Sequence, residues 1–176
     1  MLSKKARAAW NRDLLLSLEQ FGAEGSAAAS YLRAHKTLIG FRKARASVGA
    51  FWTPFGALYF NALHYSSRMN PADARVLALL IHEVKHLQQG LIAALSVYGE
   101  LEAWQLQFSV YHRKTNEKMP PAIEALLALP LGWDRATLRR ARELMQEYAG
   151  KGYRVDLLPL YPLGKEIRYR LWGKMP

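Results

Sequence analysis

His82 and His86 stand four residues apart, with Glu83 beside the first, inside "ALLIHEVKHLQQG", an otherwise apolar, helix-like run at residues 78–90. Four residues is one helical turn, about 5 to 6 Å between Cβ atoms, so two imidazoles can converge on one ion at about 2.0 to 2.1 Å. Glu83 lies about 100° round the helix from His82, beside such an ion rather than on it, where a carboxylate can take a proton from zinc-bound water. With five histidines in 176 residues, the composition would give this pattern by chance only roughly 0.008 times. The chain has no cysteine, so disulfides and thiolate catalysis are excluded and a metal site can draw only on His, Asp and Glu.

Catalytic zinc usually takes three protein ligands and keeps one position open. The candidates for the third are Glu100 and Glu102 in "SVYGELEAWQLQFSVY". Were one helix to run from Pro71 to Tyr111, its rise would put Glu100 about 21 Å from His86, too far to share an ion. A metal site therefore requires the chain to reverse after Gly90, with Ser96 available to cap the returning helix. On that helix Val97, Leu101, Trp104, Phe108 and Tyr111 form an apolar arc; Glu100 falls about 60° from its centre and Glu102 about 140°. Glu100 is the inward candidate, and Ala103 on its face permits close helix approach.

The remaining pattern predicts an α+β, mainly helical chain with a small sheet. Trp10, Leu14, Leu18 and Phe21 predict an amphipathic helix over 3–21, and Ser26 a cap for a second helix to Ile39, leaving His35 at the core edge or in solvent. "ASVGAFWTPFGALYFNALHY" predicts a β-hairpin, 46–52 and 57–63, around the turn at Thr53–Gly56. Asn70-Pro71-Ala72-Asp73 predicts a helix start at Pro71. Ile123–Leu129 reads as a short helix after Pro120-Pro121, and Asp134 as the cap of a helix to Ala149 with Leu138, Ala141, Met145 and Tyr148 inward and Arg135, Arg139 and Arg142 outward on a solvated face. In the tail, Ile167, Tyr169 and Leu171 alternate with charged residues, which predicts a late strand. One domain is expected over 1–176, with N-terminal helices in 1–45, a zincin-like core in 46–113 and C-terminal helices and tail in 114–176.

His82-Glu83-Val84-Lys85-His86 followed by Glu100-Leu101-Glu102-Ala103 resembles the gluzincin zinc metallopeptidases, whose motifs are H-E-x-x-H and E-x-x-A; the small single-domain members, with an edge strand before the metal helix, are the most similar. The resemblance covers about 40 to 65 residues. It implies His82, His86 and Glu100 as Zn2+ ligands, Glu83 as general base and a peptide or protein substrate. The chain departs from the pattern in carrying Trp104 where several such families place an acid or amide, so the group that would orient a histidine is unassigned. A donor to the developing oxyanion is open among Tyr98, Tyr111, His112 and His64. Phe51–Phe60 can offer a strand edge to an extended peptide.

Net charge +11 leaves two competing readings: a basic module binding nucleic acid or another protein, for which Arg33–Arg45 is the densest basic stretch, and a zincin-like protein without turnover. Nucleic acid is the less favoured partner, since no recognised motif accompanies the charge. No signal peptide is read in the N-terminal stretch and no run reaches the roughly 20 apolar residues of a membrane span. The expectation is a soluble, cytoplasmic protein without a membrane partner.

Overall fold

A computed structural model describes residues 4–150 and 152–173. In chain order the helices are α1 (Lys4–Glu19), α2 (Ala23–Ala34), α3 (Ala74–Ala94), α4 (Val97–Thr115), α5 (Pro121–Leu127), α6 (Arg135–Ala149) and α7 (Leu163–Trp172). Strands β1 (Ile39–Arg42), β2 (Ala50–Trp52) and β3 (Leu58–Asn61) lie between α2 and α3, and a 3-10 turn, Arg154–Leu157, precedes α7. The class is α+β and mainly helical. One hydrophobic cluster joins Trp10, Leu14 and Leu18 of α1 to Leu80 and Ile81 of α3, Leu101 of α4, Leu138 of α6 and Tyr161 of the tail.

The expected hairpin is present as β2 antiparallel to β3, with Phe51 opposite Tyr59. A third strand, not expected from the sequence, pairs parallel to β3, and its first residue, Ile39, expected to end the second helix, lies opposite Leu58. That helix ends early because Lys36 adopts a positive φ of 50°, and Thr37 N–H closes back onto the Leu32 carbonyl. Its start is also earlier than expected: Gly22, rather than Ser26, is the cap residue. The order β1-β3-β2 leaves β2 at the edge. Asn61, fully buried, fixes the loop leading into β2: its amide donates to the Arg45 and Val48 carbonyls and its oxygen accepts from Ala44 N–H.

α3 begins at Ala74, not Pro71, because Asn70 closes a turn of its own while Asp73 accepts from the Arg75 and Val76 amides as the actual cap. Gly90 breaks the helix, as expected: its φ of 74° and ψ of 164° suit a residue without Cβ. One more turn carries the chain to Leu95, and Ser96 caps α4 by accepting from Gly99 N–H at 3.0 Å. A Cβ on Gly99 would stand 2.1 Å from the Ala93 carbonyl oxygen. The tight return therefore depends on Gly99, in addition to the small Ala103 foreseen from the pattern.

The C-terminal end departs from two expectations. Residues 167–171 are helical, because Pro162 opens α7 at φ −49° and the alternating apolar residues were not a buried face: Ile167 and Leu171 are exposed while Glu166 is buried. Arg135 and Arg142 are not free solvated groups either. Arg135 pairs with Glu166 at 3.5 Å and Arg142 donates to the Leu158 carbonyl, so both hold the tail against α6. Tyr148 is 45 % exposed rather than inward, packing its ring edge-on to Trp104 and Phe108. Among the described residues no helix is long and apolar enough to cross a membrane.

Candidate metal centre

His82 and His86 project from one face of α3, both buried, with their Nε2 atoms 3.0 Å apart. The return of α4 brings Glu100 to them: Oε1 is 3.6 Å from His86 Nε2 and Oε2 is 3.9 Å from His82 Nε2. Among the described residues this is the one group of three whose ligand atoms lie within 4.8 Å of one another. Atoms bound at about 2.0 to 2.1 Å to one tetrahedral ion stand roughly 3.4 Å apart, so two imidazoles and a carboxylate at these separations fit a divalent cation. Glu102 turns aside, as its helix angle predicts, but it is not free in solvent: Lys85 Nζ lies 2.6 Å from it and Gln89 donates to it at 2.9 Å.

Gln89 supplies the orientation missing after Ala103. Its amide nitrogen donates to the Gly99 carbonyl and to Glu102, which leaves its oxygen facing His86 Nδ1 at 3.1 Å. An acceptor there requires the proton on Nδ1 and turns the Nε2 lone pair toward His82 and Glu100. Gln89 lies three residues past His86, on the same helical face, so its role was legible in the sequence and was missed. His82 is held neutral from another direction: burial, then the neighbouring His86, pushes its pKa well below the ordinary imidazole value. The neutral form is the one a metal requires. His82 Nδ1 is buried without a hydrogen-bond partner, and the Ala103 main chain and Gln107 side chain only partly offset the lowering of the His82 pKa.

Glu83 is buried on α3 beside this trio. Burial, then the negative charge of Glu100, raises its pKa well above the usual carboxylate range, and the Trp52 amide only partly offsets this. A carboxylate so destabilised is a stronger base than one in water. It opens onto a cavity of about 550 Å³ walled by Trp52, Trp104, Phe108, Tyr111, Tyr148 and Tyr153. The edge strand β2 forms one side; β3, the other half of the strand pair expected to face a peptide, is covered on both edges.

Of the four candidates for an oxyanion donor, only Tyr111 lines this cavity, its hydroxyl donating to Glu117 and accepting from Arg75. Tyr98 stacks on Trp133 at 4.0 Å. His64 and His112 are exposed and bonded to the Ala46 and Glu117 carbonyls, outside the cavity. Tyr153, unforeseen, reaches the centre from the tail: its hydroxyl donates to Glu100 Oε2 and accepts from Trp104 Nε1. Burial, then Glu100, raises its pKa well above the ordinary phenol value, so it remains a donor. No short-range pattern marks Tyr153, because fifty-three residues separate it from Glu100.

No protein-family model, curated protein or solved structure matches this chain, so the geometry alone describes the centre.

Proposed function

We propose that the protein is a zinc-dependent peptidase of gluzincin type, with His82, His86 and Glu100 as ligands and Glu83 as general base. The observation that carries this reading is the convergence of the three ligand atoms within 4.8 Å next to a buried glutamate of raised pKa. Zn2+ held there would polarise the scissile carbonyl and acidify water. Glu83 takes the proton of the attacking water and delivers it to the leaving amine, a role suited to a carboxylate whose charged form is desolvated. The edge strand β2 would offer main-chain groups other than the Trp52 amide, which bonds to Glu83, to an extended peptide, which favours peptides over small amides. The alternative, a basic interaction module, would be favoured by Glu100 turned away from the histidines together with one continuous arginine patch; Glu100 instead lies 3.6 Å from His86 Nε2.

Metal content of protein purified without added metal, compared with His82→Ala, Glu100→Ala and Glu102→Ala, tests the ligand set. Loss of metal in the first two and its retention in the third is expected; retention in all three refutes the site. Peptide cleavage by Glu83→Gln tests the base: that variant should keep metal and lose activity. A parent that binds zinc yet cleaves no peptide of a broad library would leave a zinc-binding protein without turnover.

A further inference from the structure

We infer that Tyr153 is a positioning residue of the metal centre, contributed by the C-terminal segment, and that it fixes which oxygen of Glu100 is offered as ligand. This rests on the reading of His82, His86 and Glu100 as the ligand set. The two carboxylate oxygens of Glu100 are not equivalent. Oε2 accepts from Tyr153 OH and from Trp104 Nε1 at 3.1 Å, and Trp104 Nε1 is also 3.0 Å from the Tyr153 oxygen, so the three groups lock one another. Oε1 has no hydrogen-bond donor among the described residues and lies 3.6 Å from His86 Nε2. Two donors on one oxygen hold the carboxylate plane and leave the other oxygen with its lone pairs free.

The segment bearing Tyr153 is built onto the very helix that bears Glu100. Val97 N–H and Tyr98 N–H, two of the orphan donors of the first turn of α4, are satisfied by the Pro159 and Leu160 carbonyls at 2.9 and 3.1 Å. Val155, Leu160 and Tyr161 are buried in the common core on either side of that contact. Arg142 adds a donor to the Leu158 carbonyl. The tail is therefore fixed relative to Glu100 by main-chain bonds, and its phenol arrives at a defined place. A strand packed only by side chains would not fix it so.

The test is Tyr153→Phe, which removes one hydroxyl and keeps the ring. Zinc affinity is read by chelator competition, the coordination by the visible absorption of the Co2+-substituted protein, and the fold by unfolding of the metal-free form; His82→Ala and Trp104→Phe are run beside it. Tyr153→Phe should still bind one ion, with affinity lowered about 10- to 100-fold and a changed Co2+ spectrum, because Oε2 is released to compete with Oε1. Trp104→Phe, which removes the other donor to Oε2, should shift both readouts in the same direction. Unchanged affinity and spectrum in Tyr153→Phe, with metal lost in His82→Ala, overturns the inference and leaves the ligand set standing. Equal metal binding by the parent and His82→Ala overturns both.

Discussion

Glu83 and Glu166 both expose only 4 % of their surface, but Glu83 lies deep in the molecule and Glu166 close beneath its surface, and their pKa values move in opposite directions. Burial dominates at Glu83 and is reinforced by Glu100, so its pKa rises well above the usual range. Burial would raise Glu166 too, but the hydrogen bond from Arg170 and the charge of Arg135 together outweigh it. One cavity is walled largely by aromatic rings, and among the described residues no Lys or Arg pairs with its Glu83 or Glu100. The other, a crevice of about 590 Å³ between α6 and α7, gives its buried acid two guanidinium partners. The contrast shows depth and partners acting together: a deep acid beside another carboxylate is poised to move a proton, and a shallower one held by two guanidinium groups fastens the chain.

The largest effect separating the two is expected in Glu83→Gln, with peptide cleavage falling about 10²- to 10⁴-fold. The same change should stabilise the metal-free protein near neutrality. A raised folded pKa means that stability is highest below the ordinary carboxylate value and is lost as pH rises through the folded value, so replacing the acid removes that loss. Urea melts at about pH 4 and about pH 7 check it; a variant weaker than the parent at the higher pH would break the contrast.

Next comes Gly99→Ala, expected to cost about 1 to 3 kcal/mol, since the new methyl would meet the Ala93 carbonyl and force α3 from α4. Zinc affinity should fall with it, because the crossing places Glu100. Glu166→Gln should cost about 2 kcal/mol near neutrality with zinc affinity unchanged. Its sign with pH is opposite to that of Glu83. The lowered folded pKa gives stability present above the ordinary carboxylate value and lost as pH falls through the folded value, so the difference between parent and variant shrinks in acid. The smallest effect is assigned to Gln89→Ala, a roughly tenfold loss of zinc affinity, about 1.4 kcal/mol, read by the same chelator competition.

Local signals carried much of the architecture. The H-E-x-x-H spacing, the apolar arc of α4, Gly90, Ser96 and the Asp134 cap each act within a turn or two of helix, and each lies where the pattern puts it. Local signals misled where a neighbour distant in the chain decided the outcome. Ile39 left its expected helix to pair with Leu58, and the alternation of Ile167, Tyr169 and Leu171 marked no buried face because α7 buries Glu166 instead. Arg135 looked solvated from its helix position, yet it pairs with an acid thirty-one residues away.

By itself, the sequence determined the candidate ligand types and the spacing of His82, Glu83 and His86. It also set the demand that a metal-binding chain reverse after Gly90 and bring Glu100 rather than Glu102 inward. These follow from helical periodicity, which is a property of neighbouring residues. Tertiary structure alone decided that Gln89 orients His86 through a link to Glu102, that burial without a cation raises Glu83, and that Tyr153 closes on Glu100 from the far end of the chain. Desolvation and hydrogen bonding depend on which groups share a volume, and that volume exists only once α3, α4 and the tail have packed together.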